Sequence, residues 1–374
     1  MRLGGLRGLA VFWAVVVLAL AGLGVTLAWL GPPGPVVAEA PAEPPPDPAE
    51  PGAPPAVPPT AETAATPPAA PAAPPEARGP LPTPAAPEPP PLASAEARQA
   101  AANPVIAPPD PQLLEPGRHG PLPRLGPEGR SSIRAYARAF DRSDARPRIG
   151  IVINNMGLFA QHSEEAIRRL PGGVTLAFSL YAPRTDRLLD LARGRGMEVL
   201  VALPLEPQGF GQQADPGDRA LLTTLTLSEN LDRLHWALAR IQGQVGAIGG
   251  LGGMRGERFA TNAEMLGAVQ AELTRRGLLY VDPRPGAPQP ARAFGRSVDL
   301  LLDEPSAVRS EVERRLAELE ALARRSGSAL GLAGDPVPSV VAAIAAWSAG
   351  LEERGLVVAP VSVLIRRPAE QASR

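Results

Sequence analysis

Of the chain's 48 prolines, 33 fall between residues 31 and 130, and that crowding decides where a fold can form. Proline has no backbone N–H to donate and holds φ near about −65°, so a stretch this rich in it builds neither a helix interior nor a central strand. Residues 31–145 accordingly read as a disordered Pro/Ala-rich linker, partly polyproline II, reaching at most about 3.1 Å per residue. The proline spacing repeats no motif, so the expected role is a tether rather than a ligand for a proline-binding domain.

Ahead of the linker, the 22 residues 9–30 carry no charge. As a helix rising about 1.5 Å per residue they would span about 33 Å, enough to cross a bilayer. Arg2 and Arg7 precede the stretch, and the first charge after it is Glu39. That asymmetry leaves residues 1–8 in the cytoplasm and the rest outside. The expectation is a signal anchor: a single pass through the inner membrane, with the C-terminal domain in the periplasm. The alternative is a cleaved signal peptide ending near Ala38-Glu39-Ala40. Its apolar core would be about 7–15 residues, shorter than this one.

Composition narrows the function. The 37 basic side chains nearly balance 38 acidic ones, which argues against a nucleic-acid partner. The basic residues are all Arg, and there is no Cys, so disulfides and thiolate metal sites are excluded.

The pattern changes at Arg148, and the folded domain is expected over residues 146–366, with 367–374 as a tail. Apolar runs suited to buried parallel strands occur at 149–153, 174–179, 198–203, 245–248, 278–281, 298–302, 329–333 and 357–364. Helical spacing lies between most of them, at 159–170, 184–195, 228–242, 261–277, 305–327 and 338–355. Ser228 reads as an N-cap, and Thr261 as another with Glu264 completing a capping box. Gly277, Gly327 and Gly355 read as helix stops. This alternation gives an α/β domain with a mostly parallel sheet, either a barrel or an open doubly wound sheet. No G-x-G-x-x-G follows the first strand. The cluster Gly249-Gly250-Leu251-Gly252-Gly253 has Arg255 where a third Gly would fall and presents no helix N-terminus to a phosphate.

Five short motifs recur in order. They are Ile151-Val152-Ile153-Asn154-Asn155-Met156-Gly157; Leu170-Pro171 followed by Val174-Thr175-Leu176-Ala177-Phe178; Leu203-Pro204-Leu205-Glu206-Pro207; Val281-Asp282; and Val298-Asp299-Leu300-Leu301-Leu302-Asp303. Together they resemble the divergent polysaccharide deacetylases, a branch of the NodB-like carbohydrate esterases, across 148–365. The resemblance implies a distorted (β/α) barrel and an ancestry in removing acetyl groups from envelope glycans. It also implies a divalent metal such as zinc, held by an Asp and two His, that activates a bound water.

Carried across position by position, those ligands are replaced. The family's Asp pair is Asn154 and Asn155, one His falls at Gly250 and the other at Asp335, and the His-bearing segment before the L-P-x-E-P motif reads Val201-Ala202. An amide binds a divalent cation far more weakly than a carboxylate, so no cofactor is expected. The remaining histidines do not compensate: His119 lies in the linker, His162 in the first helix and His235 in the middle of a later one.

Polar residues persist at expected strand ends: Glu206, Asp282, Arg284, Asp299, Asp303 and Asp335. Glu206 and Asp282 either cap loops and pair with nearby Arg, or line a cleft with Asn154, Asn155 and Arg284 that grips sugar hydroxyls. The leading expectation is a membrane-tethered domain without catalytic metal, acting as a glycan-binding or docking module. Envelope glycan, peptidoglycan fragments or cell-wall proteins would be its partners. Two rivals remain. One is an active deacetylase or hydrolase with relocated residues, Glu206 or Asp335 serving as general base. The other is a structural partner of cell-wall machinery.

Overall fold

The computed structural model describes residues 105–368. The expected anchor at 9–30, the linker up to residue 104 and the tail beyond 368 lie outside the described residues. Among those described, no helix is long and apolar enough to cross a membrane.

The linker ends earlier than residue 145. From residue 105 the chain folds onto the domain, through a 3-10 turn at Pro111–Leu113, an antiparallel hairpin of β1 (Leu114–Gly117) and β2 (Gly120–Pro123), and a short helix α1 (Ser132–Ala135). The physical reason is dilution of proline. Residues 105–145 hold 7 prolines in 41 positions, against 26 in the 74 before them. The prolines that remain sit at turns and in a two-stranded ribbon, where a missing donor is tolerated. Between them Leu113, Leu122 and Tyr136 are buried in the domain's two apolar clusters. His119, expected in the disordered spacer, bonds Asp232 at 2.9 Å.

Strand and helix then alternate: β3 (Arg148–Met156), α2 (Ala160–Arg169), β4 (Thr175–Ser179), α3 (Asp186–Gly194), β5 (Val199–Ala202), α4 (Leu227–Leu238), β6 (Gly246–Ile248), α5 (Ala263–Arg275), β7 (Leu279–Asp282), β8 (Gly295–Ser297), β9 (Leu300–Leu301), α6 (Arg309–Ser326), β10 (Ser328–Ala333), α7 (Pro338–Ala349), β11 (Val357–Val358) and α8 (Val361–Leu364). Strands β4 to β8 are buried at every position, as a sheet covered on both faces requires.

The sheet runs β8-β7-β6-β5-β4-β3-β10-β9, with β11 beside the start of β3, and every pairing in it is parallel. Its two outer strands, β8 and β9, belong to one stretch of chain. The Val298 amide donates to Asp282 O on β7 at 2.9 Å, and the next amide, Asp299, donates to Leu330 O on β10 at 2.8 Å. Asp299 secures that seam by accepting from Leu330 N at 2.7 Å and Arg296 Nη2 at 2.8 Å. The sheet is therefore curled in the manner of a distorted barrel, and the doubly wound alternative fails.

Local boundaries differ from the sequence reading. Thr226, not Ser228, caps α4: its hydroxyl accepts from Glu229 N, and the Glu229 carboxylate accepts from Thr226 N at 2.8 Å. Asn262, not Thr261, caps α5 through Met265 N at 3.1 Å, while Thr261 ends a preceding 3-10 turn. The expected helix at 305–327 begins at Arg309, and that at 338–355 ends at Ala349. The strand expected over 357–364 stops at Val358, because Pro360 cannot donate to a ladder and instead leads into α8.

Candidate functional site

All the parallel strands of the curled sheet end on one rim, the position where α/β barrels place their functional loops. At the end of β3 the register with β4 shifts between Ile153 and Met156, and Asn155 takes a left-handed backbone with φ 51°. Asparagine adopts that conformation more readily than most side chains. The irregularity gives the paired amides different surroundings. Asn154 is fully buried, donating from Nδ2 to Gly250 O at 3.0 Å and accepting from Asn155 N at 2.8 Å. Asn155 reaches across to β10 and donates from Nδ2 to Asp335 Oδ1 at 2.9 Å. Its own Oδ1 is buried with no hydrogen-bond partner.

Asp303, at the end of the β9 segment, accepts from Gly334 N at 2.7 Å. Burial pushes its carboxyl above the usual range, opposed by backbone amides, and the neighbouring Asp335 carboxylate pushes the same way. A carboxylate pair and an amide thus meet where β3, β9 and β10 end.

The glycine loop after β6 covers this cluster. Leu251 and Met254 exchange backbone hydrogen bonds at 2.9 Å in each direction, closing a tight hairpin. Gly252 has φ 53°, and a Cβ on it would lie 2.6 Å from Asn155 Nδ2 and 3.7 Å from Asp335 Oδ2. At Gly250 a Cβ would meet Met254 O at 2.5 Å and Arg255 Cα at 3.0 Å. No side chain fits there in this loop conformation, imidazole included. Arg255 anchors the loop by pairing with Glu304 and, at 3.5 Å, with Glu257.

Of the residues singled out in the sequence, Asn154, Asn155, Gly250, Asp303 and Asp335 come together. The others do not join them. Glu206 is buried and saturated: one oxygen accepts from Thr223 N at 2.5 Å and Thr223 Oγ1 at 2.6 Å, and the other pairs with Arg258 at 2.9 Å. Asp282 is buried beneath Arg284, which reaches it with Nε at 2.9 Å and Nη2 at 2.6 Å. Both take the loop-capping, Arg-paired role kept open in the sequence. Asp299 holds the sheet seam. Three residues were missed in the sequence, Phe159 and Val308 because they fell inside expected helices: with Leu158 they are exposed on the same rim, Phe159 at 64% and Val308 at 58%.

The family's metal does not fit these residues. The group aimed at Asp335 is an N–H donor, Gly250 has no room for a ligand, and His235 is engaged with Glu272 at 2.6 Å. Among the described residues no three His, Cys, Asp or Glu side chains converge as a set of ligands.

Comparison with known proteins agrees with the motif order. Residues 151–365 match the family model described as divergent polysaccharide deacetylase. An uncharacterized protein of Haemophilus influenzae is 23% identical over 225 residues, 56% of this chain and 74% of that protein. The crystal structure of an uncharacterized protein from Agrobacterium tumefaciens superimposes with TM-score 0.60 at 34% identity, covering 66% of this chain and 99% of the other.

Proposed function

The chain belongs to the divergent polysaccharide deacetylase family, and we propose that it is a non-catalytic member serving as a docking module of the cell envelope. In this reading residues 9–30 anchor it in the inner membrane, and the folded domain lies in the periplasm. The observation that carries the proposal is the occupied centre. Asn154 spends its hydrogen bonds on Gly250 O and Asn155 N, and the 249–254 hairpin packs its backbone against Asn155 and Asp335. Water activation by a metal needs an open coordination position and, as a rule, three protein ligands; here the hairpin covers the cluster, and among the described residues no third His, Cys, Asp or Glu joins Asp303 and Asp335. The exposed Leu158, Phe159 and Val308 on the same rim support contact with a protein surface.

Metal analysis of the purified full-length chain, with acetate release from acetylated glycans, tests the reading. The expected result is substoichiometric zinc and no release. Stoichiometric zinc with turnover would overturn it. Proteolysis of spheroplasts that leaves the domain intact would overturn the periplasmic placement.

One observation favours a second reading, glycan binding. Asp335 stays partly exposed on this rim, and a carboxylate there suits sugar hydroxyls. Saturable binding of peptidoglycan fragments, lost in Asp335→Ala, would select it.

A further inference from the structure

Near the N-terminal ends of the strands, away from the rim described above, lies a cavity of about 560 Å³, within the usual range of about 300–1,000 Å³ for small-molecule sites. Phe294 in its wall immediately precedes β8, and Gly277 lies two residues before β7. Four arginines line it: Arg134, Arg142, Arg366 and Arg367.

Three buried or half-buried guanidiniums elsewhere in the domain are closely paired: Arg276 with Glu272 and Glu115, Arg284 with Asp282, Arg296 with Asp299; the four at the cavity are exposed. Among the described residues, no side-chain hydrogen bond or ion pair engages the four around the cavity. Nearby carboxylates are committed. Asp141 accepts from Ser143 N at 2.9 Å and Ser143 Oγ at 2.6 Å, and Glu198 accepts from Ser362 N and Arg138 N, each at 3.0 Å.

Ser131, Thr274 and Ser362 add hydroxyls to the wall, and the remaining side chains are apolar. Leu125 is 47% exposed, and Ile133, Phe294 and Ile365 are half-buried beside it. Guanidinium groups bind phosphate and carboxylate through paired N–H donors, and an alkyl chain gains by covering Leu125 and Phe294.

From this juxtaposition we propose that the cavity binds an anionic amphiphile, its phosphate or carboxylate head among the four arginines and its alkyl part along the apolar wall. The site is independent of the amide cluster on the opposite rim.

Calorimetric titration of the full-length chain in neutral detergent with hexyl phosphate, inorganic phosphate and hexanol tests it. Hexyl phosphate should bind saturably, at least about 10-fold tighter than inorganic phosphate, with hexanol showing no binding; tenfold corresponds to about 1.4 kcal/mol. Arg142→Ala/Arg366→Ala should weaken hexyl phosphate at least about 10-fold, the scale of one lost charge-assisted contact, with an unchanged melting temperature. Arg134→Glu is the second variant if the first unfolds. The control Arg168→Ala/Arg169→Ala, whose side chains pair with Glu164 and Glu165 on α2, should bind as the parent does. Equal affinity for phosphate and hexyl phosphate, no saturable binding, or full binding in the arginine variants would overturn the proposal.

Discussion

Asn155 Nδ2 donates to Asp335 Oδ1 at 2.9 Å, joining residues 180 positions apart at the ends of two neighbouring strands. The amide is what makes the contact favourable. Asn155→Asp would face one carboxylate with another and should cost about 1–3 kcal/mol at pH 8. The loss should shrink as pH falls and a proton bridges the pair. Thermal melts of both proteins from pH 4 to pH 8 check this.

Gly250→Ala places a Cβ against Met254 O and Arg255 Cα, backbone atoms that cannot rotate away. Overpacking of this kind costs about 1–3 kcal/mol. Gly250→His, alone or with Asn155→Asp, should destabilise similarly without creating a stoichiometric zinc site. Calorimetric zinc titration of the double variant is the measurement.

Glu206→Ala would leave Thr223 N–H, the Thr223 hydroxyl and Arg258 without their acceptor. The expected loss is about 3 kcal/mol of stability, since unmet buried donors bear their full desolvation cost. Were Glu206 a general base, Glu206→Gln would abolish an activity while leaving the fold intact. Comparing the denaturation midpoints of both variants separates the roles.

Asp303→Asn keeps an acceptor for Gly334 N and removes the charge beside Asp335. Because burial raises the folded carboxyl above its ordinary value of 3.8, its contribution is complete below that value and is lost as pH rises through the raised one. The variant should therefore match the parent at pH 4 and exceed it at pH 8 by up to about 1 kcal/mol, read as a melting-temperature difference that grows with pH.

Glu272 shows the opposite sign. Burial pushes its carboxyl up, but hydrogen bonds from His235, Arg275 and Arg276 outweigh burial and hold it well below the ordinary value of 4.5. Stability from this group is present above 4.5 and drains away as pH falls toward the depressed value. Glu272→Gln should be the less stable protein at pH 7, with the gap narrowing in acid titrations below about pH 4.5.

Much of the fold was legible because buried parallel strands are continuous apolar runs: 149–153 and 329–333 announce β3 and β10 from their letters alone. The β11 run misled because Val361 and Leu364 are as apolar as a strand, and only Pro360 marks the change. The hairpin and α1 were hidden by proline count, which hides how few buried residues, among them Leu113 and Tyr136, suffice to hold a segment down. At the site, adjacency made Asn154 and Asn155 visible. Their fates diverge through a register shift and a positive φ that no residue type declares. The motif resemblance offers Gly250 as a histidine's replacement, but only the path of the hairpin shows that nothing larger could occupy it.

The segment from Ile106 to Tyr136 also changes how the domain meets mechanical load. A pull arriving from residue 104 reaches first the Ile106 amide bonded to Arg193 O, then Asp110 N bonded to the Tyr136 hydroxyl, and then the β1–β2 ribbon clasped to Asp232 through His119. Each of these must peel before tension is felt at Arg148, where β3 lies between β10 and β11. In a chain held from its N-terminal side, the prefix would work as a strain relief, like the sleeve on a cable, shielding the central strand from being drawn out of the sheet end first.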